Sequence, residues 1–318
     1  MAIDPWEHVR VGSTDVRPSV APSGAPAVSV PAASVPMIDA HHHLWDPARA
    51  DYPWMTRELD PIRRAFGPGD LRPELEQHGI AATVLVQARS SLDESRELLA
   101  VAAQEPFIAG VVAWVDLCAR DVGEVIAELR TGVGGDRLLG VTHQVHDEPD
   151  PDWLCRADVR RGLAAVQAAG LAFDLLVRAR ELPAAIDTCR RFPALRFVLD
   201  HLAKPPIAAG DLTEWGRAII PLAELPNVTA KLSGLVTQAD WRSWSIDDLR
   251  HPVELAVDAF GPQRLMLGSD WPVCLLAGTY ADVREAALDL LADLPAHELA
   301  EVTGGTAIRT YRLRLRGS

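Results

Sequence analysis

Beyond residue 36, short apolar runs alternate with stretches whose apolar residues recur every three or four positions. The runs span 37–40, 83–86, 108–115, 138–141, 172–177, 197–199, 228–230 and 265–267. Each has the length of a strand, and most are apolar on both faces, as strands of a parallel sheet covered by helices are. The periodic stretches between them predict helices over 94–104, 122–129, 159–169, 182–191, 215–223, 253–260 and 280–291. Two start signals are read as caps: Asp70 ahead of a turn carrying Pro73, and Asp121 ahead of Val122. Eight strand–helix repeats in a chain this long predict an α/β fold, a closed (β/α)8 barrel of the TIM type. A doubly wound open sheet is the structural alternative.

The first 36 residues break the pattern. From Arg17 to Pro36 the chain is mostly Pro, Ala, Val and Ser, too poor in large apolar groups to form a core. The expected organisation is therefore an N-terminal arm over 1–36 and a barrel domain over 37–318. Asp4, Glu7 and repeated prolines interrupt anything resembling a secretory leader, and no run approaches the roughly 18 apolar residues that span a bilayer. With 31 Lys and Arg against 44 Asp and Glu, the formal charge is −13. No basic block is present, so nucleic acid and membrane are not expected partners, and a small-molecule substrate is. Cys118, Cys155, Cys189 and Cys274 show no zinc-finger spacing and fit reduced thiols in a cytoplasmic protein.

In a barrel, active sites gather where strands end at the C-terminal face. The polar residues of this chain fall at those ends. The first strand runs into His41-His42-His43, and residues two apart on a strand point the same way. His41 and His43 can thus converge on one ion or one carbonyl oxygen. Gln87 and Arg89 follow the second strand, His143 and His146 the fourth, and Asp200-His201 the sixth. The only two lysines of the chain, Lys204 and Lys231, follow the sixth strand and close the seventh, and Asp270 follows the eighth. Trp45, Trp54, Trp114 and Trp271 offer flat faces for a sugar ring, or serve as packing.

Taken in order, His41-His42-His43, Asp200-His201 before Lys204-Pro205, and Gly268-Ser269-Asp270-Trp271-Pro272 resemble the amidohydrolase superfamily. The likeness is strongest to its sugar-lactonase branch, related to 2-pyrone-4,6-dicarboxylate lactonase. Trp45-Asp46-Pro47, Tyr52-Pro53-Trp54, Val86-Gln87-Ala88, Asp147-Glu148-Pro149-Asp150 and Phe260-Gly261-Pro262 add to it. The resemblance implies an amidohydrolase-type barrel that hydrolyses a cyclic ester.

The chemistry can be stated independently. Opening a lactone needs an activated water, an electrophile at the carbonyl and a proton for the departing alkoxide. Asp270 is the expected base, with His41, His43 and His201 as the electrophilic face. Gln87, Arg89, His143, His146, Lys204, Trp45 and Trp271 are the expected substrate contacts. Firmly metallated members of the superfamily add a histidine after the fifth strand, and dinuclear ones a lysine after the fourth. Here those places read Phe173-Asp174-Leu175-Leu176-Val177-Arg178 and Val141-Thr142-His143. No cofactor is therefore expected. The alternative is one divalent ion, zinc by its chemistry, on His41, His43 and Asp270 with His201 as a further ligand. Relatives also often carry arginine where Thr142 stands, which leaves open a substrate without a carboxylate. Amide hydrolysis or nonoxidative decarboxylation on the same barrel, and a noncatalytic binding protein, are the other readings.

Overall fold

A computed structural model describes residues 35–315. The arm expected over 1–36 lies almost wholly outside the described residues. Eight parallel strands follow in spatial order β1-β2-β3-β4-β5-β6-β7-β8: β1 (Ile38–His42), β2 (Ala82–Val86), β3 (Ile108–Ala113), β4 (Leu138–Gln144), β5 (Ala172–Leu176), β6 (Arg196–Leu199), β7 (Val228–Leu232) and β8 (Leu265–Leu267). The sheet closes through the residues after β8. Asp270 N donates to His41 O at 2.8 Å and His43 N to Trp271 O at 2.7 Å, so the barrel's seam runs through the proposed site.

The helices of the outer ring are α1 (Pro68–Gln77), α2 (Leu92–Gln104), α3 (Val122–Thr131), α4 (Ala157–Ala168), α5 (Leu182–Arg191), α6 (Thr213–Ala223), α7 (Ile246–Phe260) and α8 (Tyr280–Leu290), one after each strand, and two short helices, α9 (Ala296–Ala300) and α10 (Thr306–Tyr311), follow. Ser91 caps α2 by accepting from Glu94 N. Thr279 and Asp282 cap α8 reciprocally, with Thr279 N donating to Asp282 Oδ2 and Asp282 N to Thr279 Oγ1. One predicted cap is corrected: Asp70 lies inside α1, where its Oδ2 accepts from Gly67 N at 2.8 Å. Asp121 does stand at the N-cap of α3, without a side-chain cap bond.

Apolar side chains on the helix-facing side of the sheet, among them Phe173, Phe197, Leu175 and Val141, pack against the helix ring in one large core. A second cluster joins Ile38, Ala40, Val84, Val112, Val198 and Met266 to Tyr311 and Leu313 of the C-terminal segment. Three strands run further than their apolar runs predict. β4 continues through Thr142-His143-Gln144 because Asp174-Leu175-Leu176 of β5 pair with it, and β1 and β7 likewise carry polar residues at their ends. The predicted boundary stopped where the side chains turned polar, although the ladder did not. Among the described residues, no helix is long and apolar enough to cross a membrane.

Candidate active site

Asp270 is the hub of the barrel mouth. Its Oδ1 lies 3.3 Å from His43 Nε2, 3.7 Å from His41 Nε2 and 4.0 Å from His201 Nε2. The four residues named from the sequence as the chemical core thus meet, contributed by β1, the turn after β6 and the turn after β8. Asp270 has φ 57°, and His201, Leu202, Ala203 and Lys204 have φ between 50° and 59°. Left-handed backbone at consecutive non-glycine residues costs energy and persists only where surrounding structure imposes it. Here it turns His201 and Asp270 toward each other.

Gly234, after β7, has no role in the sequence reading, yet the centre depends on it. It has φ +63°, and a Cβ there would stand 2.7 Å from His201 Nδ1 and 2.8 Å from Asp270 Oδ2. Gly234→Ala is therefore expected to lower kcat at least about tenfold through displacement of both groups, on top of about 1–2 kcal/mol of backbone cost. Steady-state kinetics beside a thermal melt checks this; wild-type turnover in the variant would show that the two side chains tolerate the shift.

Each imidazole is held from behind. His43 Nδ1 lies 2.9 Å from Val86 O, an atom that only accepts, so Nδ1 carries a proton. His201 Nδ1 lies 2.8 Å from Ser233 Oγ. His41 Nδ1 meets Lys231 Nζ at 3.0 Å and Asp200 Oδ1 at 3.3 Å. Lys231 is fully buried and also pairs with Asp174 Oδ2 at 2.6 Å and Asp200 Oδ1 at 2.8 Å, while Tyr311 OH donates to Asp174 Oδ2 at 2.6 Å. The second of the two lysines is thus a structural cation beneath the site. The middle histidine, His42, is structural too, bonded to Thr83 Oγ1.

Burial pushes the Asp270 carboxyl upward, but His201, His43 and His41 outweigh it and hold it at about 2, so it is anionic at neutral pH. Burial keeps His41 well below its ordinary value and lowers His201, and both are neutral there. Burial raises Asp174 to about 6. Against the same burial, Lys231 and His41 hold Asp200 far down, and the two carboxylates keep Lys231 charged.

The outer residues divide. Gln87 is buried, its Oε1 accepting from Gln144 Nε2 at 3.3 Å. Arg89 lies on the second loop, 3.8 Å from Glu94, whose Oε2 also accepts from Ala88 N and Arg89 N. His143 has both nitrogens occupied, by Trp114 Nε1 at 3.1 Å and Glu148 Oε1 at 2.7 Å, and its ring stacks on Trp153 at 4.3 Å. His146 Nε2 faces Lys204 Nζ at 3.5 Å and Asp147 Oδ1 at 3.3 Å. Trp45 and Trp271 are buried, each edge-to-face with Phe66, and Trp45 also stacks with His43 at 6.2 Å. Cys274 is buried with its thiol raised by that burial, as packing cysteines are.

The residues missed from sequence were mostly buried acids. Asp39 accepts from Ser269 N, Ser269 Oγ and Tyr280 OH and anchors the loop that carries Asp270. Asp39 and Asp174 each interrupt an apolar strand. A charge in such a place needs a partner, and that was the available signal.

His41, His43 and Asp270 each offer a ligand atom, all within 4.8 Å of one another. His43 Nε2 lies 3.1 Å from His41 Nε2 and 3.3 Å from Asp270 Oδ1. Asp200 behind His41 Nδ1 is the carboxylate–imidazole backing usual for a metal ligand. This donor set fits the alternative of one divalent ion better than the expectation of no cofactor.

The amidohydrolase family profile matches residues 38–313, and the chain belongs to that family. It is 43% identical over 288 residues to an L-fucono-1,5-lactonase of Burkholderia multivorans, covering 87% of this chain and 96% of that one. An amidohydrolase structure from Burkholderia multivorans with bound zinc superposes with a TM-score of 0.83 at 42% identity, over 88% of this chain and all of that one. A probable 2-pyrone-4,6-dicarboxylic acid hydrolase from Acinetobacter baumannii, 18% identical with a TM-score of 0.71 over 87% of this chain and 99% of that one, shares the fold.

Proposed function

We propose that this enzyme opens the six-membered 1,5-lactone of a sugar acid of the L-fuconate kind, with Asp270 as base and His201 as carbonyl donor. Lactone hydrolysis on the amidohydrolase fold is its activity, carried by 43% identity to an L-fucono-1,5-lactonase over most of both chains. The observation that supports the assignment of roles is the Asp270 oxygen, 3.3–4.0 Å from three imidazole nitrogens at the strand ends. Four unpaired cysteines support a cytoplasmic setting.

The steps follow from protonation. Anionic Asp270 takes a proton as water attacks the carbonyl carbon. In this reading His201 donates from Nε2 to the developing oxyanion, with Ser233 Oγ, 2.8 Å from Nδ1, as the donor to that nitrogen. The carbon–ring-oxygen bond then breaks, and the Asp270 carboxyl returns its proton to the leaving alkoxide. The product is a hydroxy acid whose ionisation releases one proton.

His41, His43 and Asp270 would hold a divalent ion, with His201 next to them, and zinc in the Burkholderia multivorans relative supports that choice. Such an ion polarises a carbonyl oxygen and lowers the pKa of water. Protein prepared without added metal is expected to carry close to one divalent ion per chain, and exhaustive chelation to lower kcat at least about tenfold, reversed by zinc. Elemental analysis beside turnover decides; full activity in metal-free protein would leave the imidazoles as the sole electrophiles.

Lys204 gives the reaction a pH limit. Burial, and next to it the charge of Arg178, push its ammonium down to about 8. The cation is present below that value and lost above it. If it binds substrate, kcat/KM declines above about pH 8 after correction for spontaneous ring opening. A limb that persists unchanged in Lys204→Met would assign it to another group.

A proton-release screen over 1,5- and 1,4-lactones, matched amides and aromatic acids tests the function. Turnover of L-fucono-1,5-lactone far above background, with amides and aromatic acids inert, is the expected result. Amide cleavage or decarboxylation without lactone turnover would overturn it.

A further inference from the structure

Arg178, two residues past the end of β5, was given no role by the sequence. Its Nε is buried with no hydrogen-bond partner among the described residues. The acids around it are engaged elsewhere. Glu181 pairs with Arg180 and accepts from Arg178 N at 2.9 Å, and Asp147 turns to His146 at 3.3 Å. Among the described residues, the Lys204 ammonium, from the neighbouring strand end, has His146 Nε2 at 3.5 Å as its one hydrogen-bond partner. The Lys204 ammonium lies in the field of the Arg178 guanidinium, and both are partly desolvated. Two like charges held together without an ion-pair partner among the described residues are unfavourable unless an anion completes the site. The left-handed run from His201 to Lys204 is what brings Lys204 here, beside the reacting centre.

We propose that Arg178 and Lys204 form a subsite for a carboxylate. The inference rests on the lactonase reading above and narrows it. A neutral lactone supplies no anion, but ring opening creates one, so the source is either the sugar acid released or a lactone that carries a second carboxylate. Arg178 thereby supplies, one strand over, the cation that Thr142 leaves missing on β4.

The test is calorimetric titration of L-fuconate and of the matching uncharged alditol into wild type, Arg178→Gln, Arg178→Lys and Lys204→Met. It is run beside kcat/KM for a neutral lactone and a carboxylated one. Wild type is expected to bind the sugar acid about tenfold to a hundredfold more tightly than the alditol, the range for a hydrogen-bonded charge. That preference is lost in Arg178→Gln, retained in part in Arg178→Lys and weakened by salt. If selectivity for the carboxylated lactone falls as well, the substrate is the source; if only acid binding falls, the product is. Equal affinity of acid and alditol for wild type, or an unchanged preference in a folded Arg178→Gln, would overturn the subsite. Binding of the acid by an enzyme that opens no lactone would overturn the lactonase reading and leave the subsite standing.

Discussion

Asp270→Asn is expected to lose turnover by a factor of about 10²–10⁴, the range for removal of a general base, with its melting temperature little changed. Asparagine matches aspartate in shape and is among the few residues at ease in left-handed backbone, so φ 57° at this position is retained. What it lacks is a charge to accept the proton of water and to ligate a cation. Substrate binding should weaken far less than kcat, because the interaction that is removed strengthens only as the proton moves. Near-normal turnover by folded Asp270→Asn would remove this residue as base.

Lys231→Met is expected to have the largest effect on stability. The ammonium is fully buried and serves Asp174, Asp200 and His41 together. Its removal strands two carboxylates in the barrel, at a cost of about 3–5 kcal/mol. For a domain of this size that is a fall in melting temperature on the order of 10 °C. His41 loses its backing, so kcat falls as well. Adding Asp174→Asn removes one of the stranded charges and should recover part of the stability. A Lys231→Met protein that melts with wild type would show that the cation is dispensable to the fold.

The barrel was legible because alternation of apolar runs and periodic stretches reports burial directly. Each of the eight runs became a strand, and polar residues that follow them meet at the mouth of the barrel. His41, His43, His201 and Asp270 were legible for the same reason, each standing where an apolar run stops. What remained hidden were relations across strands. Nothing in the chain says that Lys231 faces Asp174 and Asp200 rather than a substrate, because inward and outward positions of a strand buried on both sides look alike. Nor does it say that His143 is spoken for by Trp114 and Glu148. The expectation of metal independence rested on absent ligands after β4 and β5, whereas the ligand set depends on the distances among the residues that are present. Gly234 and the left-handed turn after β6 were invisible because their meaning lies in a close approach, not in residue type.

The central claim, that the Asp270 centre drives water onto a lactone carbonyl, is tested most directly by ring opening in ¹⁸O-labelled water. L-Fucono-1,5-lactone is turned over once by excess enzyme and the product is fragmented in a mass spectrometer. The account predicts a single ¹⁸O in the new carboxylate and none in the hydroxyl derived from the ring oxygen, formed by wild type much faster than the spontaneous reaction and by Asp270→Asn no faster. Label in the ring-derived hydroxyl, or release at the background rate by wild type, would contradict it.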